Sequence, residues 1–154
     1  MRRKDREVTD KAHIYEIMKD CRCCRIGLYD NGQVYIVPMN FGEVIEEEKI
    51  TLYFHSAKEG RKIDLIKQNP RVGFEMDTNY QLKTGEQACH YSAKYQSIIG
   101  EGIAEIVEDY EEKVLGLNTI MEHATGKEWE FKEEMIEAVC VFKLMVDKIS
   151  CKES

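Results

Sequence analysis

Proline is scarce in this chain: 154 residues carry two, Pro38 and Pro70. No proline-rich or low-complexity linker is present and no segment repeats, so residues 1–154 read as one domain, large enough for a proper core. No apolar run approaches the roughly 20 residues that span a bilayer, which argues against a membrane protein. The charged start, Met1-Arg2-Arg3-Lys4-Asp5-Arg6, is followed by no apolar stretch of the kind a secretory leader needs. Residues 1–8 are expected to be a flexible, solvated tail. Basic excess is also missing: the net charge is −7, against the basic face that nucleic-acid binding requires. A glycine-rich dinucleotide fingerprint is absent as well, so a nicotinamide would bind only transiently.

Six cysteines without a leader point to a reducing, cytoplasmic setting. Cys21, Cys23 and Cys24 cluster, and Cys89 precedes His90. Their spacing is not that of paired zinc knuckles, so they read as scattered free thiols and no metal is expected, a thiolate metal site being the alternative.

The pattern along the chain is mostly that of strands. A helix is expected from Thr9 or Asp10, a capping residue, to Asp20, with Ala12, Ile14, Ile17 and Met18 on its apolar side. Two strands, Cys24 to Tyr29 and Gln33 to Phe41, flank Asn31-Gly32, a strong hairpin signal. Glu43 to Lys49 reads as an acidic turn, Ile50 to Phe54 as a strand, and Arg71 to Met76 as another. Asp77 to Ser92 shows no periodicity and reads as a long loop. Lys94 to Glu108 is a long strand whose face with Gly100, Gly102 and Ala104 is nearly bare. That face would admit a backbone, a ring or a helix, or would mark a barrel bend. Asp109 to Ala124 is an amphipathic helix ended by Gly126, and Ala138 to Ile149 a last strand. Six strands in this order predict a mainly β fold: a closed or nearly closed antiparallel β-barrel with flanking helices.

The segment from Phe54 to Pro70 carries the clearest chemistry. Ser56 and Glu59 have capping-box spacing, Ile63 and Ile66 form a buried stripe, and Pro70 stops the helix. Arg61 and Lys62 fall in or beside the first turn, where cations oppose the macrodipole. Free N–H groups, a hydroxyl and two cations there suit an anion such as a phosphate. The plainer reading is a surface helix with two solvated basic residues.

Tyr35 to Phe41, Leu52 to Ala57 with Gly60-Arg61-Lys62, Asn69-Pro70, and Tyr95-Gln96-Ser97 with Gly100 and Gly102 together resemble the flavin-binding split-barrel superfamily. This group includes the pyridoxamine 5′-phosphate oxidases, and the nearer likeness is to its nitroimidazole-resistance (Nim-like) branch. The resemblance implies an FMN-binding split β-barrel, a homodimer with FMN in two clefts between subunits. It implies that Ser56, Arg61 and Lys62 hold the FMN phosphate, which carries about −1.5 to −2 charges near neutral pH. It places Pro38, Met39 and Asn40 beside the isoalloxazine ring, Phe54 and Ala57 in the same binding segment, and Gln96 and Ser97 as polar contacts. His55 would lie near the ring, as a proton donor to substrate or only as a flavin contact. His13, His90 and His123 read as surface or loop residues.

The implied activity is that of an FMN-dependent oxidoreductase like the nitroimidazole reductases, with NADH or NADPH as a transient donor. The alternatives are a flavin-storage protein without turnover and a haem- or deazaflavin-binding barrel. No arginine follows Arg71, so the substrate-gripping C-terminal arginine of the pyridoxamine phosphate oxidases has no counterpart and vitamin B6 oxidation is not expected. Cys151 stands where Nim-like chains often have glycine, which leaves Lys152 without an assigned role.

Overall fold

A computed structural model describes residues 3–154. Eight strands form one antiparallel sheet: β1 (Glu7–Val8), β2 (Cys24–Asp30), β3 (Gln33–Met39), β4 (Gly42–Glu46), β5 (Lys49–Ser56), β6 (Arg71–Lys83), β7 (Ser92–Ile106) and β8 (Cys140–Glu153). Their order is β3-β2-β6-β7-β8-β5-β4, with β1 added along β8. The helices are α1 (Lys11–Asp20), α2 (Arg61–Gln68), α3 (Tyr110–Thr125) and the short α4 (Glu133–Glu137). The sheet curls around its core without closing, the split form of the expected barrel.

Local chemistry explains most element ends. Asp10 caps α1 through the Ala12 N–H, and Asp109 caps α3 through the Glu112 N–H. Gly126 ends α3 at φ 72°. Asn31 and Gly32, at φ 48° and 91°, turn β2 into β3 as a two-residue hairpin with both central residues left-handed.

Two apolar clusters lie on opposite faces of the sheet. The larger fills the inner face, where Ile26, Leu28, Leu52, Phe74, Met76, Ile98, Phe142 and Leu144 meet Ile17 and Met18 of α1 and Ile63 and Ile66 of α2. The smaller lies under α3, where Leu117 and Ile120 cover Tyr53 and Val141. The middle of β5 and the start of β8 are therefore buried on both faces, which is why they read as apolar runs rather than alternations.

Several expectations change. The acidic stretch from Glu43 is strand as far as Glu46, and the turn is confined to Glu47 and Glu48, both at positive φ. The long loop is mostly strand too: β6 and β7 continue pairing to Lys83 and Ser92 as a solvated hairpin arm. That arm has no buried face, so it leaves no hydrophobic period to detect. Of the supposed tail, part lies outside the described residues, while Glu7 and Val8 pair with Lys152 and Cys151. The bare face of β7 has two causes. A Cβ at Gly100 would strike the Phe74 ring at 2.4 Å, and one at Gly102 would stand 2.0 Å from the Met145 carbonyl. Beside Gly102, β8 bulges past Asp147, whose carboxylate pairs with Arg71.

Candidate functional site

The helix start expected to bind an anion is built differently from its capping box. Ser56 closes β5 and its hydroxyl donates to the Ala57 carbonyl at 2.8 Å, so it does not cap α2. The cap is Gly60, at φ 143° and with no capping side chain. The Ile63 and Asp64 N–H groups both turn back to the Gly60 carbonyl. The N–H groups of Arg61 and Lys62 have no acceptor within the helix and point outward at its positive end. No capping side chain competes for these donors.

Arg61 is held from two sides. Its Nε and Nη2 donate to Asp30 Oδ2 at 3.0 and 2.6 Å, and its Cζ lies 4.2 Å from the Tyr35 ring centroid. Lys62 is half-buried beside it.

Pro38, Met39 and Asn40 stand at the end of β3, the sheet's edge strand, where a residue without an N–H costs no ladder bond. Pro38 faces Arg25, and with Val34, Ile36, Ile99, Ile103 and Met145 it lies on the outer face of the sheet. His55, half-buried, points to that face too, since it shares the parity of Tyr53, which packs under α3. Phe54 points the other way, fully buried and stacked on Phe142 with centroids 5.1 Å apart. Only its main chain can serve a surface site. Ala57 is exposed just beyond the strand.

Gln96 and Ser97 are not brought to His55 and Ser56, although the register places them toward the same end of the sheet as Pro38, Met39 and Asn40, with β2 and β6 between. They pair with Glu153 and Lys152 near one end of β8, whereas His55 and Ser56 pair with Val141 and Cys140 at the other. The separation along the strand is roughly 35 to 40 Å. The Gln96 amide is engaged on both sides: Asn79 donates to its oxygen at 2.6 Å, and its nitrogen donates to Glu153, which also meets His13 at 3.1 Å.

Sequence reasoning missed His123. It is buried between α3, β4 and the end of α1, with Glu43 at 2.7 Å and the Cys21 carbonyl at 2.7 Å. Its ring packs 4.3 Å from that of Phe41. The only sequence signal was a cation in the last turn of a helix; Glu43 is too distant in the chain to be paired with it by eye. The thiols of Cys21, Cys24 and Cys151 are buried, and desolvation raises their pKa values, that of Cys21 to about 12 and that of Cys151 to about 11. Thiols so rarely ionised are poor nucleophiles. Among the described residues no group of His, Cys, Asp and Glu is arranged to hold a metal.

Residues 10–153 match the family model described as pyridoxamine 5′-phosphate oxidase. A solved structure from Bacteroides thetaiotaomicron, provisionally named a 5-nitroimidazole antibiotic resistance protein, is 34% identical. The match covers 96% of this chain and 86% of that one, with a TM-score of 0.82. The flavocytochrome Anf3 from Azotobacter vinelandii matches at 19% identity over 100% of this chain and 72% of its own, TM-score 0.80. The FAD and heme binding protein from Mycobacterium smegmatis matches at 15% over 97% and 73%, TM-score 0.83. These last two share the fold. No curated protein matches the chain.

Proposed function

Since this chain belongs to the pyridoxamine 5′-phosphate oxidase family and resembles its Nim-like branch, we propose that it is an FMN-dependent oxidoreductase acting on a small organic substrate as a homodimer. The observation that carries this reading is the start of α2, where outward N–H groups, Arg61 and Lys62 converge without a capping side chain. A phosphomonoester fits it: the guanidinium offers a fork, the ammonium a point charge and the backbone two further donors.

The division of the site supports the dimer. Gln96 and Ser97 cannot reach the ligand of their own Arg61, but a second copy related by a two-fold axis would bring its pair to that ligand. The outer face supports it too. Beyond the part covered by α3, the face exposes Val34 (76%) and Ile36 (63%) beside Gly27 and Gly73, with Ile99 (53%) next to the Arg25–Glu75 ion pair, a mixed surface open to a partner.

Within that dimer each chain's residues have separate tasks. Arg61 and Lys62 would neutralise the phosphate, Pro38 would wall the ring from the outer face while Met39, packed inward against the core, holds the strand there, and the partner's Gln96 and Ser97 would supply polar contacts. His55 would hold a proton close to the substrate. Bound there, the flavin would supply the redox chemistry.

The test is the absorption spectrum of the purified protein, then anaerobic NADH and NADPH. Flavin bands that bleach support the reductase. Bands that persist with both donors favour flavin storage. A Soret band or a colourless protein that takes up no FMN rejects the reading.

A further inference from the structure

We propose that Asp30 and Tyr35 are positioning residues that aim Arg61 at an anionic ligand and so set how strongly this site prefers a phosphorylated flavin over an unphosphorylated one. The proposal rests on the reading of the α2 start as the phosphate site.

A guanidinium has three sides to offer: an Nε–Nη2 edge, an Nη1–Nη2 end and a flat face. Here the Nε–Nη2 edge is occupied by a single oxygen, Asp30 Oδ2, at 3.0 and 2.6 Å. One face is occupied by the Tyr35 ring at 4.2 Å. The Nη1–Nη2 end remains, and that end can grip two oxygens of a phosphate at once. Both holding residues belong to the β2–β3 hairpin, Asp30 at the last position before its turn and Tyr35 two pairs away from it. The two-residue turn fixes the register of this hairpin and with it the spacing of Asp30 and Tyr35.

Arg61 itself is half exposed, at 51% of its side chain, while Asp30 is 23% exposed. A free arginine at such a place would lose its rotamer freedom on binding. One already clamped on an edge and a face does not, and the ligand gains what the clamp has lost in advance. The opposite effect also exists: the Asp30 carboxylate repels a phosphate. Asp30→Asn separates the two, because it keeps an acceptor oxygen and removes the charge.

The experiment titrates the full-length protein, freed of bound flavin, with FMN and with riboflavin, following flavin fluorescence. The readout is the ratio of the two dissociation constants, which a general loss of folding would leave unchanged. The expected results are a fall of about fivefold or more in FMN preference for Asp30→Ala and Tyr35→Leu. Asp30→Asn and Tyr35→Phe keep the wild-type ratio within about twofold. A ratio unchanged or raised in Asp30→Ala overturns the proposal and makes Asp30 a competitor of the ligand. Equal losses for both flavins overturn it too, leaving Asp30 a purely structural residue. Wild-type protein that binds FMN no better than riboflavin overturns the phosphate site along with it.

Discussion

The Nδ1 of His123 stands 2.7 Å from a carboxylate oxygen of Glu43, with only 6% and 10% of the two side chains exposed. The other ring nitrogen meets the Cys21 carbonyl. An ionised carboxylate and a carbonyl both accept, so this geometry favours the ring with protons on both nitrogens. Burial pulls its pKa down, but the hydrogen bonds to Glu43 and the Cys21 carbonyl outweigh that, and the net shift is upward from 6.5. A raised folded pKa means stability that is fully present below about 6.5 and is lost as pH climbs through the folded value. Urea unfolding in a pH series is expected to show this decline, and His123→Gln to flatten it. Breaking the buried pair with His123→Ala is expected to cost roughly 2 kcal/mol or more near pH 6. A His123→Gln variant with the wild-type pH profile would reject this role for the His123–Glu43 pair.

Gly42→Ala is expected to loosen α3. A Cβ there would stand 2.4 Å from the Thr119 carbonyl carbon and oxygen, which are backbone and cannot swing aside. Overpacking of this kind costs about 1–3 kcal/mol. Thermal melts would read it, and an unshifted midpoint would mean that the helix sits less tightly on β4.

Asp109→Ala is expected to cost about 1 kcal/mol, since it removes the acceptor that caps α3 at the Glu112 N–H, 2.9 Å away. Asp109→Asn keeps an acceptor and should recover most of the loss. Chemical denaturation of both variants would show whether the cap or the charge matters.

His55→Ala is expected to keep its flavin and lose turnover by about 100-fold, the lower range for a missing proton donor. Flavin content and steady-state rate must be measured on the same preparation. Full turnover with full flavin would reduce His55 to a wall of the cleft.

Mixing two defective variants tests the shared site. Arg61→Ala with Lys62→Ala damages one half-site, and Gln96→Ala with Ser97→Ala damages the other. Neither homodimer has an intact cleft, whereas a heterodimer has one intact and one doubly damaged. Co-refolding is expected to restore up to about half the high-affinity flavin binding in each mixed dimer. No restoration would mean that the two half-sites never meet.

The candidate anion site could be read from the sequence because its ingredients are local: Gly60, Arg61 and Lys62 fall together in a few residues with a stop at Pro70. It misled on the cap, since the Ser56–Glu59 spacing looked like a capping box while Gly60 holds the actual corner. Hairpins and helix caps were readable for the same reason of locality. The arm beyond Met76 was not, because strands solvated on both faces carry no alternation. Nor were Asp30 and His123 readable as partners of Arg61 and Glu43, since those contacts join segments far apart in the chain. That Gln96 and Ser97 lie far along the sheet from His55 and Ser56 needed the register of β8.

That register also governs how the molecule can be assembled. β5 bonds to β8 and β4, and β7 to β8 and β6, so the wings β4-β5 and β3-β2-β6-β7 share no sheet hydrogen bonds except through β8. On a ribosome that has not yet released Cys140 onward, the chain holds two unfinished sheets, each with a strand edge left open. Folding must wait for a late, long-range docking event that closes both edges in one stroke.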